Sequence, residues 1–86
     1  MIINKREEIV EVNPEALLMP KEFDKAIIGY VERIGLEPVA IYNTNMIIDI
    51  YIEQGMTEEE AIEYFWYNTF GSYAGEYTPM FATVFS

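Results

Sequence analysis

The stretch MTEEEAIEYFWYNTFG, Met56 to Gly71, limits the fold more than any other part of the chain. Thr57 stands where an N-cap side chain accepts from the first helical turn, and Glu60, three residues on, is placed to reach back to the Thr57 amide, which is the capping-box pattern. Glu58, Glu59 and Glu60 also oppose the positive end of the helix dipole, each worth ~0.3–1 kcal/mol. Ala61, Ile62, Phe65 and Thr69 recur on one face, which puts Tyr64 and Tyr67 off that face and Trp66 near its edge. Gly71 is the expected helix stop.

The flanking segments predict a mixed fold. In KEFDKAIIGYVERIG, residues 21 to 35, apolar positions fit both helical and alternating spacing, and Gly29 with dense β-branching favours a strand. GLEP supplies a turn and VAIYN a buried strand, so residues 26 to 42 are expected to form a hairpin. In NTNMIIDIYIEQG, Asn45, Asp49 and Glu53 fall four apart as one polar helical stripe, with Thr44 or Asn45 as cap and Gly55 as stop. After a turn at Gly75, GEYTPMFATVF is expected to hold a last strand, with Pro79 at an edge or bulge.

The prediction is therefore an α+β single domain over residues 1–86, ordered ββααβ; the alternative is a mostly helical protein with residues 21–34 as a helix. Residues 1–12, MIINKREEIVEV, are expected as a mobile arm or an edge strand, and NPEALLMP as one helical turn capped by Asn13.

Fold size and charge narrow the function. An 86-residue chain, 51% hydrophobic and 15% aromatic, is too short for two domains and too apolar for disorder. So small a domain buries only roughly 60% of its unfolded surface, so its aromatics enlarge either its own core or one shared in a homodimer. Without Cys or His, the chain lacks disulfides, thiolate nucleophiles, imidazole bases and zinc sites built on those ligands. A hydroxyl nucleophile at Thr69, Ser72 or Thr78 would need an activating base, and Lys5, Lys21 and Lys25 all lie in the N-terminal third. The expectation is a non-enzyme with no cofactor and no metal.

Net charge is −10, and residues 34–86 carry eight carboxylates with no cation. Such a surface repels phosphate, which argues against direct nucleic-acid binding and adsorption to an anionic membrane. No apolar run approaches the ~20 residues of a membrane span, and Met1 to Asn4 is too short for a signal-peptide core, so the cytoplasm is the expected compartment.

Three constellations stand out. The run Glu58, Glu59, Glu60 and Glu63 suits a capped, solvated helix start better than a metal or acid–base site, because its carboxylates splay around one helix. Asp49 and Glu53 with Glu59 and Glu63 form two acidic stripes that suit a basic partner or DNA mimicry, against the plainer reading of charge kept for solubility. The aromatics Tyr64, Trp66, Tyr67, Tyr73 and Tyr77, with Glu76, suit a protein contact, against the plainer reading of a tight core. Asp49, Glu53, Glu59, Glu63, Tyr64, Trp66, Tyr67, Tyr73, Glu76 and Tyr77 are thus the predicted partner-binding set. Thr57, Glu60, Gly71, Gly75 and Pro79 are assigned structural roles.

The block EEEAIEYFWYNTFGSYAGEYTPMF resembles a family of short proteins encoded by tailed bacteriophages and prophages. The resemblance rests on Glu59, Glu60, Ala61, Ile62, Glu63, Tyr64, Phe65, Asn68, Gly71, Tyr73, Gly75, Glu76, Thr78, Pro79 and Phe81, and with AIIGYVERIGLEPVAIYN it spans roughly residues 22 to 81. Where the family often has YDYDKCIEIL, this chain has YNTNMIIDIY, so roles of that Cys and Lys do not carry over. The resemblance implies a phage origin and no particular activity. It directs the expectation to a small acidic accessory protein that binds and inhibits a host protein with a basic surface, in a counter-defence, anti-CRISPR or DNA-mimic role. The alternatives are a protein that sequesters a nucleotide or metabolite, with Arg33 or the Gly71–Gly75 amides on phosphate, and a virion or assembly accessory.

Overall fold

The structure, a computed structural model, describes residues 4–73 and 75–85. Its regular elements are α1 (Lys5–Val12), a 3-10 turn (Lys21–Ala26), β1 (Ile27–Arg33), β2 (Leu36–Asn43), α2 (Thr44–Glu53), α3 (Glu58–Tyr64) and β3 (Met80–Ala82). Between α3 and β3 lie a π-helical segment (Phe65–Thr69) and a second 3-10 turn (Phe70–Ser72). The fold is α+β, with hairpin, two helices and C-terminal strand in the order ββααβ and α1 added in front.

β1 and β2 pair antiparallel across a two-residue loop, and β3 joins the far side of β2 in parallel, giving the sheet order β1-β2-β3. Parallel pairing requires a crossover, and α2 with α3 supplies it. The hairpin turn is Ile34–Gly35, where Gly35 takes φ +74, so the expected GLEP turn ends earlier than predicted and Leu36–Pro38 already belong to β2. Pro38 is tolerated because it lies beside the register shift between Val31 and Arg33, outside the stretch where β2 pairs with β3.

From Asn4 onward the N-terminal segment is a helix, not an arm or an edge strand; Met1 to Ile3 of that expectation lie outside the described residues. Asn4 caps α1 by accepting from the Glu7 amide at 2.9 Å, and its amide donates to the Glu7 carboxylate at 3.0 Å. Arg6 Nε donates to both Asp24 oxygens at 3.0 Å, and its Nη2 bonds the Met19 carbonyl, which fastens α1 to the 3-10 turn. The following NPEALLMP segment makes a single turn around Asn13, whose buried side chain accepts from Glu15 N and donates to the Pro38 carbonyl.

Residues 21–34 divide rather than choose one state. Pro20 starts the 3-10 turn, which buries Phe23 and Ala26, and β1 runs from Ile27. The helical alternative for this segment is therefore incorrect beyond Ala26. α2 starts directly from β2, so its cap is Asn43, accepting from Met46 N at 3.2 Å, in place of Thr44 or Asn45.

Tyr42, Phe65, Ile9, Ile27 and Ile47 are fully buried between the sheet and the helices. The Tyr42 hydroxyl accepts from Met19 N at 2.9 Å, tying the N-terminal loop to the central strand. Gly75 has φ +96 and sits in the expected turn. Pro79 is buried immediately before β3, which is an edge strand of the sheet, so it stands at an edge and not within a bulge. Gly71 does not stop a helix: it lies inside the Phe70–Ser72 turn without a positive φ, and the backbone becomes extended only at Tyr73. Among the described residues, no helix is long and apolar enough to cross a membrane.

Candidate functional site

α3 begins as its sequence dictates. The Thr57 amide donates to Glu60 Oε1 at 2.8 Å, and the Glu60 amide donates to Thr57 Oγ1 at 3.2 Å. These bonds, the Thr57 amide first, hold the Glu60 carboxyl below its ordinary range. Ala61 turns into the core, and Phe65 follows it one turn later.

At Phe65 the helix widens. The Phe70 amide reaches the Phe65 carbonyl, five residues back, and the buried Thr69 hydroxyl pairs with the Tyr51 hydroxyl of α2. With Phe65 and Thr69 held inward, Trp66, Tyr67 and Phe70 face out, 49%, 82% and 50% exposed. Trp66 and Phe70 are not isolated surface residues. Trp66 meets Phe65 edge-on at 5.0 Å and Phe70 at 5.2 Å between ring centroids, and Phe70 in turn lies 6.0 Å from Phe81. Phe81 stands against Phe65 at 5.3 Å and Tyr42 at 6.0 Å, so the outer rings rest on the core. A continuous aromatic surface so anchored loses little entropy on contact.

The neighbouring helices form an acidic groove of about 270 Å³. Ile48, Ile52 and Ile62 make its apolar lining, with Asn45, Asp49 and Glu58 beside them. Asp49 is thus placed as the sequence suggests, but Glu58 faces it across the groove. Glu59 and Glu63 are exposed without lining it, so the two stripes do not run as a facing pair. Glu53 pairs with Lys25 at 3.2 Å, and both side chains remain largely solvated. Among the described residues no His, Cys, Asp or Glu group could hold a metal ion.

A second concavity of about 320 Å³ lies between the first 3-10 turn, α2 and the end of α3. Phe23, Tyr51, Tyr64 and Tyr73 line it, with Glu22 and Asn68 among the polar residues. Tyr51 meets Phe23 at 5.3 Å and Tyr64 at 4.9 Å, both edge to face. Burial pushes the Tyr51 and Tyr73 phenols up, so both rings stay neutral well into the alkaline range. Tyr64 and Tyr73 therefore line this cleft, and Tyr73 also meets Phe81 at 6.2 Å, which links it to the base of the Trp66 surface.

Glu76 and Tyr77 serve elsewhere. The Glu76 carbonyl accepts from Arg33 Nη2 at 2.8 Å, and the Tyr77 carbonyl accepts from Leu17 N at 3.0 Å. The Tyr77 phenol is raised chiefly by the Glu15 carboxylate and then by Glu76. Arg33 Nη2 also donates to the Glu37 carbonyl at 2.6 Å, so the guanidinium braces the hairpin against the C-terminal segment. Sequence reasoning missed Phe70 and Phe81 as members of the exposed stack; the four-residue spacing of Trp66 and Phe70 was the available signal.

No protein-family model, curated protein or solved structure matches the chain, so the site is argued from its own geometry.

Proposed function

We propose that the protein acts by non-catalytic binding of a protein partner, with Trp66, Tyr67 and Phe70 as the central contact and the acidic helices as its rim. The observation that carries this reading is the outward set of three aromatics, of which Trp66 packs on buried Phe65, and Phe70 on Phe65 and the partly buried Phe81. Rigid aromatics over a packed base are the residues that dominate contact energies, and contiguous exposed apolar surface is uncommon unless something covers it. The cation-free stretch from Ile34 onward supports a partner with a basic surface, since opposite potentials speed encounter and exclude wrong partners. The phage-like C-terminal block supports a bacterial host protein, and basic surfaces are characteristic of nucleic-acid-binding machines. Inhibition of such a machine, in a counter-defence role of the anti-CRISPR or DNA-mimic kind, is the specific form proposed. The nucleotide-sequestering alternative is weakened because Arg33, its best phosphate contact, already donates to two carbonyls.

A photo-crosslinking residue at Tyr67, used in host cells, tests the reading against the same residue at Glu11 on α1. The expected result is a discrete, salt-sensitive adduct to a basic protein from Tyr67 only, lost when Trp66→Ala and Phe70→Ser are added. Equal adducts from both positions, or none from Tyr67 at low and physiological salt, would refute it.

A further inference from the structure

We infer that the cleft lined by Phe23, Tyr51, Tyr64 and Tyr73 receives one cationic side chain, an arginine guanidinium or a lysine ammonium, presented by the partner. The inference rests on the reading above, that the partner is basic, and names where one of its charges goes. Four aromatic residues line the space: the nearly buried Phe23 and Tyr51 form its floor and the more exposed Tyr64 and Tyr73 its rim, with Phe23, Tyr51 and Tyr64 meeting edge to face in different planes. A cation beside such rings is attracted by their quadrupoles, which is how aromatic cages hold ammonium groups.

The polar lining has the matching sign. Glu22 is the one charged residue among those that line the cleft, and it is a carboxylate. Ser72 Oγ donates to the Asn68 carbonyl, so its proton is spent and its oxygen is left to accept from a donor-rich guest. Neither neighbouring lysine lines the space; Lys25 is paired with Glu53. An anion would meet no positive group, and a neutral apolar guest would leave Glu22 and Asn68 without use. A volume of about 320 Å³ accommodates a guanidinium together with its aliphatic stem.

The test is an NMR titration of the aromatic rings of the full chain with N-acetylargininamide, N-acetyllysinamide and the neutral isostere N-acetylcitrullinamide, at matched sodium chloride. Saturable shifts of the Phe23, Tyr51, Tyr64 and Tyr73 rings are expected with a cation, and roughly tenfold weaker binding with citrulline. The arginine and lysine arms distinguish guanidinium from ammonium. Equal binding of citrulline, or shifts as large at Trp66 and Tyr67 as in the cleft, would overturn the inference. Tyr64→Leu keeps apolar bulk and removes a ring; it should weaken arginine binding by roughly tenfold, whereas Tyr30→Leu, an exposed position on β1, should leave it unchanged. Equal effects of the two variants, with melting temperatures showing both folded, would also overturn it. Silent rings alongside an intact Tyr67 crosslink to a basic protein would remove the cleft and leave the proposed function standing. Ring shifts without any crosslink would do the reverse.

Discussion

The buried hydroxyl pair of Tyr51 and Thr69 gives the sharpest quantitative test of how the aromatic surface is held. The two residues join α2 to the widened turn that carries Trp66, Tyr67 and Phe70, and both are nearly inaccessible to solvent. Tyr51→Phe leaves the Thr69 hydroxyl without its partner, and Thr69→Val leaves the Tyr51 phenol without one. Each deletion strands one buried polar group, at a cost of about 1–3 kcal/mol. In a domain of this size that lowers the melting temperature by roughly 4–8 °C per kcal/mol. Removing both hydroxyls leaves two apolar shapes of nearly unchanged volume and no stranded group, so the double variant should be less destabilised than the sum of the singles. The expected coupling is about 1 kcal/mol or more, well above the ~0.3–0.5 kcal/mol within which independent sites add. Urea unfolding followed by far-UV circular dichroism supplies all four free energies, with m-values checking that the transition stays two-state. Additive single and double variants would show that the hydroxyls do not depend on each other, and the account of how the turn is anchored would fail.

Other expectations follow from the same geometry. Thr57→Ala removes the α3 cap and should cost about 1 kcal/mol by chemical denaturation, whereas Thr57→Asn, which keeps a capping oxygen, should retain most of the stability. An equal loss in both variants would show that the cap hydrogen bond is not the cause. Tyr67→Ala, at an exposed position, should change stability by less than about 0.5 kcal/mol, while Phe65→Ala removes a fully buried ring and should cost about 3–5 kcal/mol, enough to unfold much of the population. Burial raises the phenols of Tyr42, Tyr51 and Tyr73 above their ordinary 10.0. Their contribution is complete below that value and is lost as pH rises toward the folded-state values, because the unfolded chain ionises first. Stability should fall steeply above about pH 10, with tyrosinate absorbance rising together with loss of ellipticity. Smooth ionisation of every tyrosine without unfolding would contradict the burial.

Local rules carried much of the fold. The capping box of α3 and the chain reversal at Gly75 depend on residues within a few positions of each other, and both occur where the sequence puts them. α1 escaped notice because it buries a single side chain, Ile9, and so lacks a helical stripe of apolar residues. Its legible sign was Asn4 three residues before Glu7, a capping spacing; its position comes from Arg6 on Asp24, eighteen residues away. The partner-binding set divided for a similar reason. Whether Tyr64 and Tyr73 face a cleft or Glu76 braces an arginine depends on contacts between remote segments, which no local pattern encodes.

The separation of Trp66, Tyr67 and Phe70 from the core turns on helix phase. At 3.6 residues per turn, four residues advance about 40° beyond a full circle, so a regular helix would carry Thr69 about 80° away from Ala61. That is nearly the whole width of a core-facing stripe of about 100°, and Thr69 would be moved away from Tyr51. In the π-helical segment each residue advances less, and the second four-residue step falls back by an amount that offsets the first. Ala61, Phe65 and Thr69 consequently stay in line and buried, at equal spacing of four residues. The widened turn thus lets one helix keep its inward line while a Trp, a Tyr and a Phe are presented outward within five residues. π-turns inside helices occur often at functional sites because they disrupt regular hydrogen bonding and survive where the displaced side chains are useful. Here the displaced side chains are those on which the proposed contact depends.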